Sequence, residues 1–177
     1  MQTLKAPEPD GFPVLFYKKY WAIVGESITR VVTSFFQAGR MLAEVNNSFI
    51  VLIPKSQSLT SFNHYRPISL CNVVYKIITK LLVSRLRKIL HKLISPTQAA
   101  FISGRWIAEN QIVVQEMLHS FKTRKVKSGL MDVKIDLQKA YNRVNWRFLQ
   151  VVPKNFGFDE KFVQWILNVY QQCHLSY

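Results

Sequence analysis

The segment SFIVLI, residues 48–53, decides the fold class, because it is a short run rich in β-branched residues that Pro54 closes. Such a run predicts a β-strand. A polar loop follows over residues 56–63, and YRPISL, residues 65–70, predicts a strand that returns beside the first as a hairpin. Because Pro67 cannot donate a ladder hydrogen bond, we expect this second strand at a sheet edge or a bulge.

Helical periodicity surrounds the hairpin on both sides. Residues 16–37 repeat apolar side chains near every 3.6 positions, and Gly39 marks the expected end of this helix. A long amphipathic helix is predicted from about residue 72 to 93, and another over residues 107–122. Helices on either side of a β-hairpin predict an α+β fold.

The segment MDVKIDLQKAYNRVNW, residues 131–146, changes the period from helical to alternating. The alternation predicts a half-buried strand that carries Asp136 at its C-terminal end. Helical spacing returns at about residue 139, and Pro153 is expected to break that helix or to move its boundary. A last helix is predicted over residues 158–170, with Asp159 and Glu160 at its start.

Asp136 has two interpretations at this position. A carboxylate at a strand end is a rigid ligand for Mg²⁺, which takes one or two carboxylates together with substrate phosphates. Two-metal phosphoryl transfer needs at least two or three carboxylates from different elements. The alternative is a helix N-cap. Local sequence alone favours the cap.

Charge indicates the kind of partner. The 177 residues are 49% apolar, which is enough for a core in one ordinary domain, and carry a formal net charge of +14. No acidic residue lies between Glu44 and Glu109. This block carries only positive charges, which favours nucleic acid or an anionic membrane surface as the partner. On charge alone, a generic basic protein of the ribosomal type is an equal alternative. Its basic residues are Lys55, Arg66, Lys76, Lys80, Arg85, Arg87, Lys88, Lys92 and Arg105.

The two cysteines, Cys71 and Cys173, lack the spacing of a zinc site and argue against a disulfide scaffold. No apolar run reaches the roughly 20 residues of a membrane span. The N-terminal segment lacks the apolar stretch of a secretory signal. We therefore expect no membrane partner and an intracellular location, in the nucleus, the cytoplasm or both.

Five segments, in order and spacing, resemble the reverse transcriptases of non-LTR (LINE-type) retrotransposons, and most closely the plant members. Group II intron maturases share the polymerase hand but match YRPISLCN and KAYNRV less well. The resemblance implies a partial right-hand polymerase fold, with fingers over residues 1–127, an incomplete palm over residues 128–177 and no thumb. The segments are APEPDGFPVLFYKKYW (6–21), NNSFIVLIPK (46–55), YRPISLCNVVYKIITKLLVSRL (65–86), PTQAAFISGRWIAEN (96–110) and KIDLQKAYNRVNW (134–146).

The resemblance assigns roles at the nucleotide site. Asp136 matches the first catalytic aspartate, which binds the Mg²⁺ ions. Tyr141 matches the aromatic residue that stacks under the sugar and excludes a ribose 2′-hydroxyl. Lys55 and Arg66 match the basic residues that contact the incoming triphosphate, where Arg suits a bidentate grip on phosphate.

The resemblance also assigns roles on the template side. Gln98, Phe101 and Arg105 match a template-side motif, and Lys76 and Lys80 would help to hold the template–primer backbone. The implied substrates are an RNA template, a DNA primer and a dNTP.

The chain departs from the family pattern at several points. Glu8 replaces a usual Gly, and Asn142 replaces the Asp of the usual KAYDR, which would be the second aspartate after Asp136. The Gln-Gly motif and the paired-aspartate motif do not occur. We therefore expect a fragment, inactive by itself as a polymerase. The alternatives are a non-catalytic nucleic-acid-binding remnant and a degenerate open reading frame that folds poorly.

Overall fold

The structure, a computed structural model, describes residues 8–55, 57–58, 60–123, 129–137, 140–171 and 175–176. For residues 141, 142, 171, 175 and 176 it describes the backbone alone. Two short 3₁₀ turns, Phe62–His64 and Ala140–Arg143, accompany the regular elements. These are α1 (Val14–Lys19), α2 (Trp21–Ala38), α3 (Ala43–Asn46), β1 (Ser48–Pro54), β2 (Tyr65–Cys71), α4 (Val73–Leu93), α5 (Ile107–Thr123), α6 (Trp146–Asn155), α7 (Glu160–Gln171) and β3 (Leu175–Ser176).

The chain divides into two compact units. The first comprises Met1–Leu82 with Leu149–Tyr177, and the second comprises Val83–Phe148. Helix α4 runs through the boundary between them. This division reflects contacts within the chain, and the functional division into fingers and palm stays a prediction.

The core of the first unit lies between helices α2, α4 and α7. Phe35 of α2 and Ile78 of α4 are its most deeply buried members, at 1% and 0% exposure. They belong to the apolar stripes that the periodicity predicts. The remaining buried members of this cluster are Ile28, Val32, Leu82 and Val169.

The first helical segment is divided, whereas the sequence predicted one helix over residues 16–37. Tyr20 lies between α1 and α2 with φ −105° and ψ 24°. The centroid of its ring lies 5.1 Å from that of Phe16. Both rings belong to an aromatic cluster at the bend that also contains Phe12 and Tyr17. The apolar periodicity continues through the bend, and neither Pro nor Gly occurs there, so the sequence did not predict it. The predicted end is confirmed, because Gly39 caps α2 in the left-handed conformation, with φ 71°.

The predicted hairpin is confirmed. Strands β1 and β2 pair antiparallel, with Ser48 opposite Cys71 and Pro54 opposite Tyr65. The sheet order is β2–β1–β3, so Pro67 lies in an edge strand as expected. The helices predicted after the hairpin are also confirmed as α4 and α5. Among the described residues, no helix has the length and the apolar character needed to cross a membrane.

The predicted strand over residues 131–137 is wrong. Residues 129–137 have no regular secondary structure, and Val133 and Ile135 are 62% and 82% exposed. A strand forms only when its backbone groups find a ladder partner, and the described part of the chain offers none to this segment. The alternating sequence therefore indicated which side chains would share a face of a strand, but it could not show that a neighbouring strand is absent from the described residues.

The C-terminal helices follow the sequence more closely. The segment predicted to be helical from residue 139 begins with a 3₁₀ turn, and α6 starts only after Asn145, whose Oδ1 accepts the Arg147 amide at 2.8 Å. Pro153 lies inside α6 and does not break it, and the helix ends two residues later, at Asn155. The last predicted helix is confirmed as α7, and Asp159 caps it by accepting the Lys161 amide at 2.9 Å.

Candidate nucleic-acid-binding site

The hairpin brings Lys55 and Arg66 to the same end. Arg66 lies opposite Ile53 in the β1–β2 register, and Lys55 follows two residues after Ile53, donating its amide to the His64 carbonyl at 2.8 Å. Because alternate residues of a strand point to one face, this register directs both basic side chains to the same face. Both residues are exposed, and the Lys55 Nζ donates to the Asn63 carbonyl at 2.9 Å. This end of the hairpin therefore presents two cations to solvent.

The strands of this hairpin expose apolar side chains on both faces. Ile50 and Leu52 on one face are 39% and 46% exposed, and Val51 and Ile53 on the other are each 42% exposed. Among the described residues, β3 pairs with β1 only at Ser48 and Phe49, so the rest of the hairpin is a two-stranded ribbon, and an exposed apolar surface of this kind is typical of an interaction site. The hairpin is therefore suited to contact a ligand or another protein segment.

Lys76 is held within the first unit by an ion pair. Its Nζ donates to Oε1 of Glu8, which is 4% exposed, whereas the Lys76 side chain is 32% exposed. Glu8 Oε2 has no hydrogen-bond partner among the described residues. Lys80, one turn further along α4, is exposed and forms no ion pair with a described residue. Of these two predicted template–primer contacts, Lys80 is the accessible one.

A second set of hydrogen bonds attaches the opening turn to Asn72, the residue before α4. The buried Asn72 side chain accepts the Asp10 amide at 3.2 Å and donates to the Glu44 carbonyl at 2.8 Å. Tyr17 donates its hydroxyl proton to Asp10 Oδ2 at 2.6 Å. Burial first, then the hydrogen bond and charge of Asp10 and the charge of Glu8, raise the pKa of Tyr17 above its ordinary value. These bonds fix the turn that carries Glu8.

Arg105 organises the loop between α4 and α5, which we call the α4–α5 loop, residues 94–106. Its guanidinium donates to backbone carbonyls at the end of α4 and in the loop itself. Charged donors at a helix C-terminus satisfy carbonyls that the helix leaves without partners. Among the described residues, the Arg105 guanidinium therefore binds backbone carbonyls of α4 and of its own loop. These are the carbonyls of His91 (3.3 Å), Ile94 (3.0 Å), Ser95 and Gln98 (2.6 Å).

The same loop carries Gln98 and Phe101. The Gln98 side chain donates to the Ala100 carbonyl at 3.3 Å. Phe101 has a positive φ of 67°, and the residue is 85% exposed. The structure thus brings the three residues of the predicted template-side motif together in one loop.

Asp136 lies in the second unit, in the exposed segment without regular structure, and accepts no hydrogen bond from a described residue. The amides of residues 138 and 139, which its N-cap interpretation would require, lie outside the described residues, as does the side chain of Tyr141. No group of three or more His, Cys, Asp or Glu side chains that could hold a metal occurs among the described residues. The described residues therefore do not form a complete two-metal Mg²⁺ site around Asp136.

These features define a basic α+β protein with cations at a hairpin end, a basic long helix and an anchored loop. A family model described as reverse transcriptase (RNA-dependent DNA polymerase) matches residues 53–176. The match covers most of the chain and includes Lys55, Arg66, Arg105 and Asp136. The chain belongs to the reverse transcriptase family.

The relatives are proteins of transposable elements. The Transposon TX1 uncharacterized 149 kDa protein of Xenopus laevis is 29% identical over 166 residues, which cover 94% of this chain and 12% of that protein. The retrovirus-related Pol polyprotein from type-1 retrotransposable element R2 of Nasonia vitripennis is 28% identical over 142 residues, covering 80% of this chain and 13% of that protein.

A third relative is the retrovirus-related Pol polyprotein from type-2 retrotransposable element R2DM of Drosophila melanogaster. It is 22% identical over 167 residues, covering 94% of this chain and 15% of that protein. The chain thus spans 12% to 15% of the length of these three relatives. The resemblance to non-LTR retrotransposon reverse transcriptases is confirmed.

Proposed function

We propose that this chain supplies the fingers and the first part of the palm of a LINE-type reverse transcriptase, where it binds an RNA template, a DNA primer and an incoming dNTP. The observation that carries the proposal is the hairpin end, where Lys55 and Arg66 share one face inside the region that matches the family. Two neighbouring cations, one of them an Arg fork, suit a triphosphate. The closer likeness to plant members, the boundary at residue 127 and a location in the nucleus or cytoplasm stay predictions.

The division of roles follows from the chemistry of each group. Lys55 offers a compact charge, and Arg66 offers paired N–H donors that match two phosphate oxygens. Asp136 would contribute one carboxylate to the Mg²⁺ site of the whole polymerase, and Tyr141 would lie against the sugar. Lys80 would contact the template–primer backbone, whereas Lys76 reaches a phosphate only if it leaves Glu8.

Triphosphate binding tests the hairpin directly. We expect the full 177-residue chain to bind tripolyphosphate or a fluorescent dNTP, and each of Lys55→Ala and Arg66→Ala to weaken that affinity about tenfold. Arg66→Lys should recover only part of the loss, because Lys keeps the charge and loses the fork. Lys161→Ala removes the same charge from an exposed position on α7 and should leave the affinity unchanged. Equal effects from all these variants would contradict a specific site.

Binding of an RNA/DNA hybrid tests the remainder of the proposal. If phosphates dominate the contact, affinity falls steeply as salt rises from about 50 to 200 mM. Fluorescence anisotropy across this range gives the slope and so the number of phosphates neutralised. Binding that does not respond to salt, or no binding at low salt, would exclude the proposed template–primer contact.

A second candidate is a non-catalytic nucleic-acid-binding remnant, which the acid-free block from Glu44 to Glu109 favours. It shares the salt dependence but requires no triphosphate site, so it predicts that Lys55→Ala and Arg66→Ala weaken hybrid binding without any specific effect on dNTP affinity. A degenerate open reading frame predicts instead a chain without a cooperative thermal transition. Calorimetry of the purified chain separates that case from the other two.

A further inference from the structure

The turn that follows α4 presents a serine directly before a proline. Of the seven prolines in the chain, Pro96 alone follows a Ser or Thr residue. Ser95 and Pro96 are both exposed, and the Ser95 carbonyl accepts the Gln98 amide at 3.1 Å, which closes the turn. A residue before proline favours extended backbone, the form in which protein kinases bind the segment that they modify. A kinase that requires proline after the acceptor residue therefore finds one candidate in this sequence.

The hydroxyl group of Ser95 already contacts donors that would serve a phosphate. Its Oγ lies 2.8 Å from Thr97 Oγ1 and accepts the Thr97 amide at 3.4 Å. A phosphate group brings three strong acceptor oxygens to this position. The amide and the hydroxyl of Thr97 would therefore both donate to a phosphate carried by Ser95.

Arg105 is bound at the same serine. Its Nη1 donates to the Ser95 carbonyl and, at 2.6 Å, to the Gln98 carbonyl. Because the carbonyl and the hydroxyl belong to one residue, a phosphate on the hydroxyl would lie within reach of this guanidinium. A guanidinium binds phosphate by two parallel charge-assisted bonds, and the phosphate carries up to about two negative charges where a carbonyl offers only a dipole. The phosphate would therefore compete with the backbone for Arg105.

The sequence around Ser95 carries no negative charge. No acidic residue lies between Glu44 and Glu109, and His91 and Lys92 are exposed in the last turn of α4. The carbonyl end of α4 opposes an added anion, because the helix dipole is negative at its C-terminus. A phosphate at Ser95 thus needs a counter-charge close by, and Arg105 supplies it.

We propose that Ser95 is a phosphorylation site for a proline-directed protein kinase and that Arg105 binds the resulting phosphate. In this reaction Ser95 Oγ attacks the γ-phosphorus of ATP and forms the new O–P bond. The bond from that phosphorus to the bridging oxygen breaks, ADP leaves, and the hydroxyl proton passes to a base of the kinase. The modification exchanges bonds of Arg105 to carbonyls for bonds to phosphate. It depends on neither the triphosphate site nor the hybrid binding of the proposed function.

Phosphorylation of the folded full chain tests the acceptor. A proline-directed kinase with ATP should add a single phosphate, which mass spectrometry of peptides should locate at Ser95. Ser95→Ala and Pro96→Ala should each abolish this transfer. Thr97→Val is the matched control, because it removes a neighbouring hydroxyl that no proline follows, and it should remain a substrate. No transfer to the wild type, or an equal transfer to Ser95→Ala, would overturn the site.

The second ionisation of the phosphate tests the role of Arg105. Phosphoserine loses its second proton with a pKa of about 6, and a neighbouring guanidinium favours the dianion. A ³¹P NMR titration of the phosphorylated wild type should therefore give a pKa lower by about 1 than that of phosphorylated Arg105→Gln. Arg105→Lys is the milder change, which keeps the charge without the fork, and it should give an intermediate value.

Arg87→Gln is the control for this titration, because it removes an exposed arginine from α4 and should leave the phosphate pKa at the wild-type value. A pKa that is the same in the wild type, Arg105→Lys and Arg87→Gln would overturn the role of Arg105. The phosphorylation assay and the titration thus test the acceptor and the phosphate-binding residue separately.

Discussion

Lys76 forms an ion pair with Glu8, which lies 68 residues earlier in the sequence, and this pair joins the opening turn to α4. The carboxylate is nearly buried whereas the ammonium group keeps partial access to water, at 4% residue exposure for Glu8 and 32% side-chain exposure for Lys76. A glycine at position 8 would leave Lys76 without this partner. Glu8 therefore attaches the opening turn to α4 and occupies a cation of the basic block.

This asymmetry predicts unequal costs for removing the two partners. Glu8→Gln leaves a lysine that can reach water, so we expect the free energy of unfolding to fall by about 1 kcal/mol. Lys76→Met leaves a buried carboxylate without a cation, and the loss should reach about 3 kcal/mol. Urea denaturation measures both.

The control is another glutamate in an ion pair. Glu26 pairs with Arg30 at 2.9 Å on the surface of α2, where both side chains are more than three-quarters exposed. Glu26→Gln should therefore change stability by less than about 0.5 kcal/mol. Equal effects at Glu8 and Glu26 would mean that burial of Glu8 contributes nothing.

The hydrogen bond between Tyr17 and Asp10 predicts a loss of stability in alkali. The pKa of Tyr17 is raised in the folded state, so the folded chain binds its proton more tightly than the unfolded chain does. This contribution is complete below the ordinary tyrosine pKa of about 10 and is lost as the pH rises beyond it towards the folded pKa. Urea denaturation of wild type and Tyr17→Phe should show a stability difference that shrinks above about pH 10. A difference that stays constant to higher pH would contradict the shift.

Arg105 and Arg87 should separate stability from nucleic-acid binding. Arg105→Ala removes charge-assisted bonds to several carbonyls, and we expect it to lower the free energy of unfolding by about 2 kcal/mol or more. Arg87 is exposed on α4, so Arg87→Ala should change stability by less than about 0.5 kcal/mol. Arg87→Ala should instead reduce the salt slope of hybrid binding by about one unit. The reverse pattern would assign the phosphate contact to Arg105.

Most of the local structure could be predicted from the sequence, because hydrophobic periodicity and the positions of Pro and Gly act within a few residues. The hairpin followed from two β-branched or aromatic runs with Pro54 between them, and α4 followed from its apolar stripe. Contacts between segments that are distant in the sequence produce no local pattern from which they could be predicted. The partner of Lys76 lies 68 residues away, and residue type alone could not show whether Arg105 binds carbonyls or phosphate.

The segment around Asp136 shows a different limit. Alternation over residues 131–137 describes which side chains would share a face of a strand, but a strand also needs a neighbour that supplies its ladder bonds. The described residues provide none, and the segment is exposed without regular structure. Asp136 therefore remains a predicted metal ligand, with its role to be tested by chemistry.

Primer extension provides that test. Two-metal nucleotidyl transfer requires carboxylates from several elements, and the described residues contain no cluster of three acidic, His or Cys side chains around a common point. Each 1.36 kcal/mol lost from transition-state stabilisation costs a factor of ten in rate, so an incomplete site should reduce extension below detection. We expect neither the wild-type chain nor Asp136→Ala to incorporate a dNTP into a primer–template with Mg²⁺, although both should bind the hybrid. Mg²⁺-dependent incorporation by the wild type that disappears in Asp136→Ala would refute this expectation and would show that this chain completes the site by itself.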